Sequence, residues 1–389
     1  MPDFTIKIYK QLLEALKDAG YRFLTFEEYM GKSEVRIRKS EVGSPKSEGG
    51  LSKADSPLFR SPVSGLRSPL VILRHDVDLL PQNSLAFARI QHEMGIRGSY
   101  YFRAVPESWD EDIIKEIHSL GHEVGYHYED MDIAGKRETT ETQRRGDHFQ
   151  ETKKNEKTKM EDFPASEGTG NVRFKNPSDS RTTTSVLRSP SSGLPDSDID
   201  FAIHSFAENL GKLRRLVPVS TICMHGSPRS RYDNRDLWKK YDYRDFGIVG
   251  EPYFDVDFDE MFYLTDTGRR WDGWKVSIRD KMPQQREWIR QGLVFRSTQE
   301  IIERLKNKEP DLEHQDLPAS GGSGSVPAQE DHPASGPSGN VRTKFPDQLM
   351  MTFHPQRWTD KPLPWLKEWV MQNAKNSVKY MINLRREDQ

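Results

Sequence analysis

Short apolar runs alternate along this chain with longer stretches whose apolar positions recur every three or four residues. The first pattern predicts buried strands and the second amphipathic helices. Ile6 to Ala19 carries Tyr9, Leu12, Leu13 and Leu16 on one stripe and ends at Gly20, a helix with its stop. Tyr21 to Phe26 follows as a strand, and Leu70-Val71-Ile72-Leu73 is the next. Asn83 to Met94 has Phe87, Ile90 and Met94 on a helical stripe, closed by Gly95. Ser99-Tyr100-Tyr101-Phe102 is an aromatic strand. Asp110 to Leu120 aligns Ile113, Ile114, Ile117 and Leu120 as a helix capped by Gly121. Gly121 to Asp130 then reads as a short strand with a polar end. Strands alternating with helices predict an α/β fold with a parallel sheet or barrel, whose ligands sit at the carboxyl ends of the strands.

The pattern continues downstream. Ile199 to Leu216 is a helix feeding the strand Val219 to Met224, which ends in His225. Tyr253 to Phe258 and Met261 to Leu264 are short apolar runs. Gly292 to Phe295 predicts a strand, Ser297 to Leu305 a helix, and Leu349 to Phe353 a last strand running into His354-Pro355-Gln356-Arg357-Trp358. An amphipathic helix, Leu363 to Met381, closes the chain.

Three segments break this rhythm: 43–68, 136–197 and 308–347, rich in Ser, Gly, Pro, Lys and Glu. They read as loosely attached insertions. Arg60-Ser61-Pro62 followed by Ser64-Gly65-Leu66 recurs as Arg188-Ser189-Pro190 followed by Ser192-Gly193-Leu194. Pro164-Ala165-Ser166 with Gly170-Asn171-Val172-Arg173 recurs as Pro333-Ala334-Ser335 with Gly339-Asn340-Val341-Arg342. Such repeats lack the apolar periodicity that would let them stack into a fold. They explain why hydrophobic content is only 34 %, below the roughly 45–50 % of ordinary domains. Without them about 260 residues remain, the size of a single barrel domain within 1–389.

A net charge of −2 offers nothing for nucleic acid to recognise. No apolar run approaches a membrane span, and Met1 to Lys10 has no signal-peptide core. Cys223 is the single cysteine, so no intrachain disulfide forms. Together these predict a cytoplasmic protein.

The candidate chemistry gathers where strands end. Asp76 and Asp78 are two apart and share a face in extended backbone. Two carboxylates so placed need a cation, or a proton on one of them. His127 and Glu129 again share a face, and His225 and His354 each follow a strand. In a barrel all four ends open on one pocket. That inventory suits metal-assisted hydrolysis, which needs two or three His, Asp or Glu ligands, a base and an acid.

Arg74-His75-Asp76-Val77-Asp78, the strand Ser99 to Phe102 and Gly121-His122-Glu123-Val124-Gly125-Tyr126-His127 resemble, in order and spacing, the motifs of the polysaccharide deacetylase (NodB-homology, carbohydrate esterase family 4-like) superfamily. With the late His354-Pro355-Gln356-Arg357-Trp358, they are most similar to a divergent Arg-His-Asp-Val-Asp subgroup found among sugar-modifying proteins. The resemblance covers most of the chain outside the insertions. It implies a distorted (β/α) barrel of about seven parallel strands and a divalent metal, zinc in many members. It implies hydrolysis of an N-acetyl group on a sugar, with Asp76 as the general base, His127 as a metal ligand and His354 as the acid for the leaving amine. His122 matches a motif position that is ordinarily structural.

The chain departs from the family twice. Val77 stands where the metal aspartate is expected, which leaves Asp78 for that role. Met131 stands where a second metal histidine is expected, and a thioether suits zinc poorly. Glu129 is then the candidate third ligand, with His225 as its rival. Arg74 and Trp358 are candidates for substrate contact, and Asp266 or Asp272 for orienting His354. The expected substrate is a carbohydrate or sugar precursor, with other polysaccharide-biosynthesis proteins as partners. Another carbon–nitrogen hydrolase on the same barrel, or a non-catalytic carbohydrate-binding scaffold, are the alternatives.

Overall fold

The computed structural model describes residues 2–32, 69–135, 196–226, 230, 232–272, 282–307 and 345–387. The expected insertions fall outside these, apart from the last residues of 136–197 and 308–347. Contacts divide the chain into two units. The first comprises Met1–Tyr128, Asn209–Pro228 and Tyr243–Gln389, and the second Glu129–Glu208 and Arg229–Asp242.

Among the described residues the first unit is built on seven parallel strands: β1 (Arg22–Leu24), β2 (Leu70–Val77), β3 (Ser99–Phe102), β4 (Glu123–Tyr128), β5 (Ile222–Met224), β6 (Phe262–Thr265) and β7 (Gln348–Phe353). Their order is β5-β4-β3-β2-β7-β6, and β1 pairs with the first half of β2. The sheet curls into a half-barrel, as expected of a distorted (β/α) barrel. Because every pairing is parallel, all carboxyl ends lie along one rim.

Helices α1 (Ile6–Asp18), α2 (Pro81–Glu93) and α3 (Glu111–Ser119) match the sequence periodicity. Thr5 caps α1 by accepting from Ile8 N, and Asp110 caps α3 by accepting from Ile113 N. Leu80, the residue before α2, has φ 54°, strained for a leucine. That turn starts α2 directly beyond the end of β2. The run Gly292 to Phe295 forms no strand, contrary to its β-like composition. Gly292 (φ 68°) ends the short helix Gln285–Arg290, Leu293 and Phe295 are buried, and Phe295 packs against Phe262 and Phe345. Side-chain burial there is met without ladder hydrogen bonds.

Alternation along the strands separates two faces. The register Asp76↔Tyr101↔Gly125, His127↔Cys223 and Arg74↔Thr352 puts a polar set on the inner face. The other face, with Tyr100, Phe102, Val124, Tyr126 and Phe353, is apolar. His75 lies within it, stacked 4.1 Å from Tyr100 and hydrogen-bonded through Nε2 to Gln91 (3.0 Å) and Nδ1 to Ser99 O (3.1 Å). His122 is similarly structural: Nδ1 accepts from Gly98 N (3.2 Å) and Nε2 meets Ala88 O (2.9 Å).

Gly125 has no room for a side chain, because a Cβ there would enter the ring of Tyr101. That ring is anchored by its hydroxyl to Thr221 Oγ1 at 3.1 Å. Gly125→Ala is therefore expected to destabilise the fold by about 1–3 kcal/mol. Urea unfolding measures this, and an unchanged midpoint would contradict the packing.

In the second unit Asn234 Oδ1 accepts from Met131 N (3.1 Å) and Asp132 N (3.3 Å), Ser205 donates to Asp130 (2.7 Å), and Phe206 meets Trp238 edge-on. Met131 is fully buried there. Among the described residues no helix is long and apolar enough to cross a membrane.

Candidate metal centre

Four strand ends supply the site: Asp78 after β2, His127 near the end of β4, His225 after β5 and His354 after β7. His127 Nε2 lies 3.6 Å from Asp78 Oδ1, and His225 Nε2 lies 3.7 Å from the same oxygen. These separations exceed a hydrogen bond. They are close to the roughly 3.3 Å between neighbouring ligands at about 2.0–2.1 Å from a tetrahedral ion. Asp78 Oδ1 is buried and has no hydrogen-bond partner among the described residues, a state that an ion between the three groups would relieve. Burial pushes the Asp78 carboxyl up, but the imidazoles of His127, His354 and His225 outweigh it and hold it well below the usual range. The ligand set is therefore an ionised carboxylate facing two ring nitrogens.

The tautomer of His127 follows from its neighbour. Nδ1 is 2.9 Å from Cys223 O, and a carbonyl oxygen can only accept, so Nδ1 carries the proton. Nε2 is then the one ring nitrogen of His127 left to ligate, and it faces the carboxylates. The residues present thus fit a divalent ion held by Asp78, His127 and His225. Glu129 is buried one residue past β4 and belongs to the second unit. The grouping that the first unit completes by itself uses His225, the rival.

The other oxygen of Asp78 faces different groups. Oδ2 accepts from Gln356 Nε2 (3.1 Å) and lies 3.8 Å from His354 Nε2. His354 Nδ1 is 2.5 Å from Asp266 Oδ1, and Asp266 Oδ2 accepts from His354 N (2.9 Å) and Trp358 Nε1 (2.6 Å). Arg357 Nη1 adds a 3.1 Å contact to Asp266 Oδ1. Burial raises the Asp266 carboxyl, but His354 and Arg357 pull it below its ordinary value. It is thus a fixed anion that orients His354. Asp272, the alternative, is held instead by Arg270 at 2.8 and 3.0 Å.

Asp76 is gripped by Arg74 through both oxygens, at 2.9 and 2.7 Å. Burial opposes its ionisation, but Arg74 prevails and lowers the carboxyl to about 2. Its Oδ2 is 3.9 Å from His127 Nε2. The two expected substrate contacts need correction. Arg74 is 2 % exposed and holds Asp76 through Nε and Nη2. Trp358 is 1 % exposed, packed against Phe4, Tyr9 and Phe87, with its indole N–H on Asp266. Both position acids instead of presenting a surface.

Gln356 and Tyr253 were not singled out from the sequence. Gln356 stands inside the run after β7, where a contact to Asp78 is legible only once β2 and β7 are known to pair. Tyr253 receives Arg74 Nη2 at 3.3 Å from a segment far along the chain. Comparison with protein-family models, curated proteins and solved structures finds no match to this chain.

Proposed function

We propose that this chain is a metal-dependent amidohydrolase of the polysaccharide deacetylase type, acting on an N-acetyl group of a sugar or sugar precursor. The observation that supports it is the division of labour around Asp78: two imidazoles face one oxygen and an aspartate-held imidazole faces the other. Zinc is the ion that the His-His-Asp donor set favours. Bound there, it would supply Lewis-acid polarisation of the amide carbonyl and acidify a water.

The chain's own residues do the rest. Asp78, His127 and His225 would hold the ion. Asp76, locked by Arg74 and ionised, is a fixed hydrogen-bond acceptor for the attacking water and a weak base. His354 is the proton carrier. Its Nε2 faces the site and takes the proton that the attacking water loses, while Asp266 holds Nδ1–H and stabilises the imidazolium so formed. That proton goes to the leaving nitrogen, so that the amine departs neutral.

The test is acetate release from N-acetylated sugars and nucleotide-linked sugars by zinc-loaded protein. Asp266→Asn should cost about a hundredfold to ten-thousandfold in kcat, with zinc content unchanged. Bound zinc with no release from any acetamide would favour a binding role over hydrolysis.

A further inference from the structure

His127 turns one ring nitrogen, Nε2, toward two carboxylates. Nε2 is 3.6 Å from Asp78 Oδ1 on one side and 3.9 Å from Asp76 Oδ2 on the other. On the Asp76 side lies the sulfur of Cys223. The ligand atoms of Asp76, His127 and Cys223 all fall within 4.8 Å of one another. The register explains this. His127 is directly opposite Cys223 on β5, so both side chains enter the same inner face.

The two groupings differ in chemistry and in access. The outer one, with Asp78 and His225, offers oxygen and two nitrogens, and both of those residues are partly exposed. In the inner one Asp76, His127 and Cys223 are all buried, at 4 %, 2 % and 0 % exposure. It offers oxygen, nitrogen and sulfur. A thiolate selects soft cations over hard ones. Arg74 stands beside this inner set. Its charge is within electrostatic reach of Cys223, and its Nη1 is buried with no hydrogen-bond partner among the described residues.

We infer that Asp76, His127 and Cys223 form a second, inner site for a thiophilic cation such as Cd2+, and that its occupation excludes the ion of the outer site. Exclusion follows from His127, whose Nδ1 is committed to the Cys223 carbonyl, leaving Nε2 alone to ligate. A soft ion would therefore silence the centre by moving His127's lone pair inward. The inference rests on the reading of His127 as a ligand of the outer site.

Purified full-length protein is titrated with Zn2+ alone and Cd2+ alone, and zinc-loaded protein is then challenged with Cd2+. Wild type should show sulfur-to-cadmium charge-transfer absorption in the ultraviolet and release one equivalent of zinc as cadmium enters. Cys223→Ser, whose fold is checked by circular dichroism, should lose the band and bind Cd2+ at least about tenfold more weakly. It should hold zinc within about twofold of wild type. His225→Ala should lose zinc yet keep the cadmium band. Zinc and cadmium bound together, no sulfur band in wild type, or zinc weakened by Cys223→Ser would each overturn the inner site. Those results leave the proposed function intact when zinc still depends on Asp78 and His225. A cadmium band without zinc dependent on those residues would refute the outer centre instead.

Discussion

Asp78→Ala is expected to leave a folded protein that no longer retains divalent metal, with affinity lowered by more than about a hundredfold. Asp78 is the hub of the candidate centre. One oxygen faces His127 and His225, and the other faces Gln356 and His354. Removing it leaves two imidazoles with no shared anion. Its side chain is 16 % exposed, so water can fill the space and folding should survive. His225→Ala should lose metal as well, whereas Glu129→Ala should keep it, because the first unit completes a three-ligand grouping without Glu129. Metal analysis of the purified proteins, with titration calorimetry, measures all three. Retention of one equivalent by Asp78→Ala, or loss in Glu129→Ala with retention in His225→Ala, would defeat the assignment.

The second large effect is loss of stability in acid. Burial pushes His75 down to about 3 and His122 down to about 4, from an ordinary value of 6.5. Both fold neutral. Below 6.5 the unfolded chain takes up protons that the native state refuses, so stability is full above that value and falls as pH drops. Each histidine contributes a slope of up to about 1.4 kcal/mol per pH unit. Glu251 works against them. Burial raises it to about 7 from 4.5, despite backbone N–H groups of Met224 and Tyr253 on its oxygens. It takes up a proton in the native state, and Glu123, also raised by burial, acts in the same direction, so the two carboxyls return part of the histidine loss above 4.5. Below 4.5 that offset ends, and protonation of Asp76, held near 2 by Arg74, adds to the loss. Against a total of about 5–15 kcal/mol, the urea midpoint should fall gently from neutrality and steeply below 4.5. His75→Gln should reduce the slope by about 1.4 kcal/mol per pH unit. A flat midpoint down to pH 4 would show that these histidines are not buried neutral.

How much of this was readable in advance follows distance along the chain. The parity of Asp76 and Asp78 is local, and an extended backbone dictates it. The helices Ile6–Asp18 and Glu111–Ser119 follow from stripes and caps that lie within a few residues of each other. Gly292 to Phe295 misled because its composition is that of a strand while its backbone finds no pairing partner; apolar content reports burial and not ladder formation.

By itself, then, the sequence determined an alternating α/β chain whose strands end in acids and imidazoles, because periodicity and strand-end polarity are properties of neighbours. Only the tertiary structure decided which of those ends meet. It brought His225 to Asp78 and chose Asp266 over Asp272 for His354. It also turned Arg74 inward onto Asp76 and set Cys223 beside His127. Each of these but the Arg74 pair joins residues from different strands, and register across a sheet is set by the packing of the whole domain. The Arg74 pair is local in sequence. Its burial, which makes it a clamp on Asp76 in place of a surface ion pair, depends on the strands to either side.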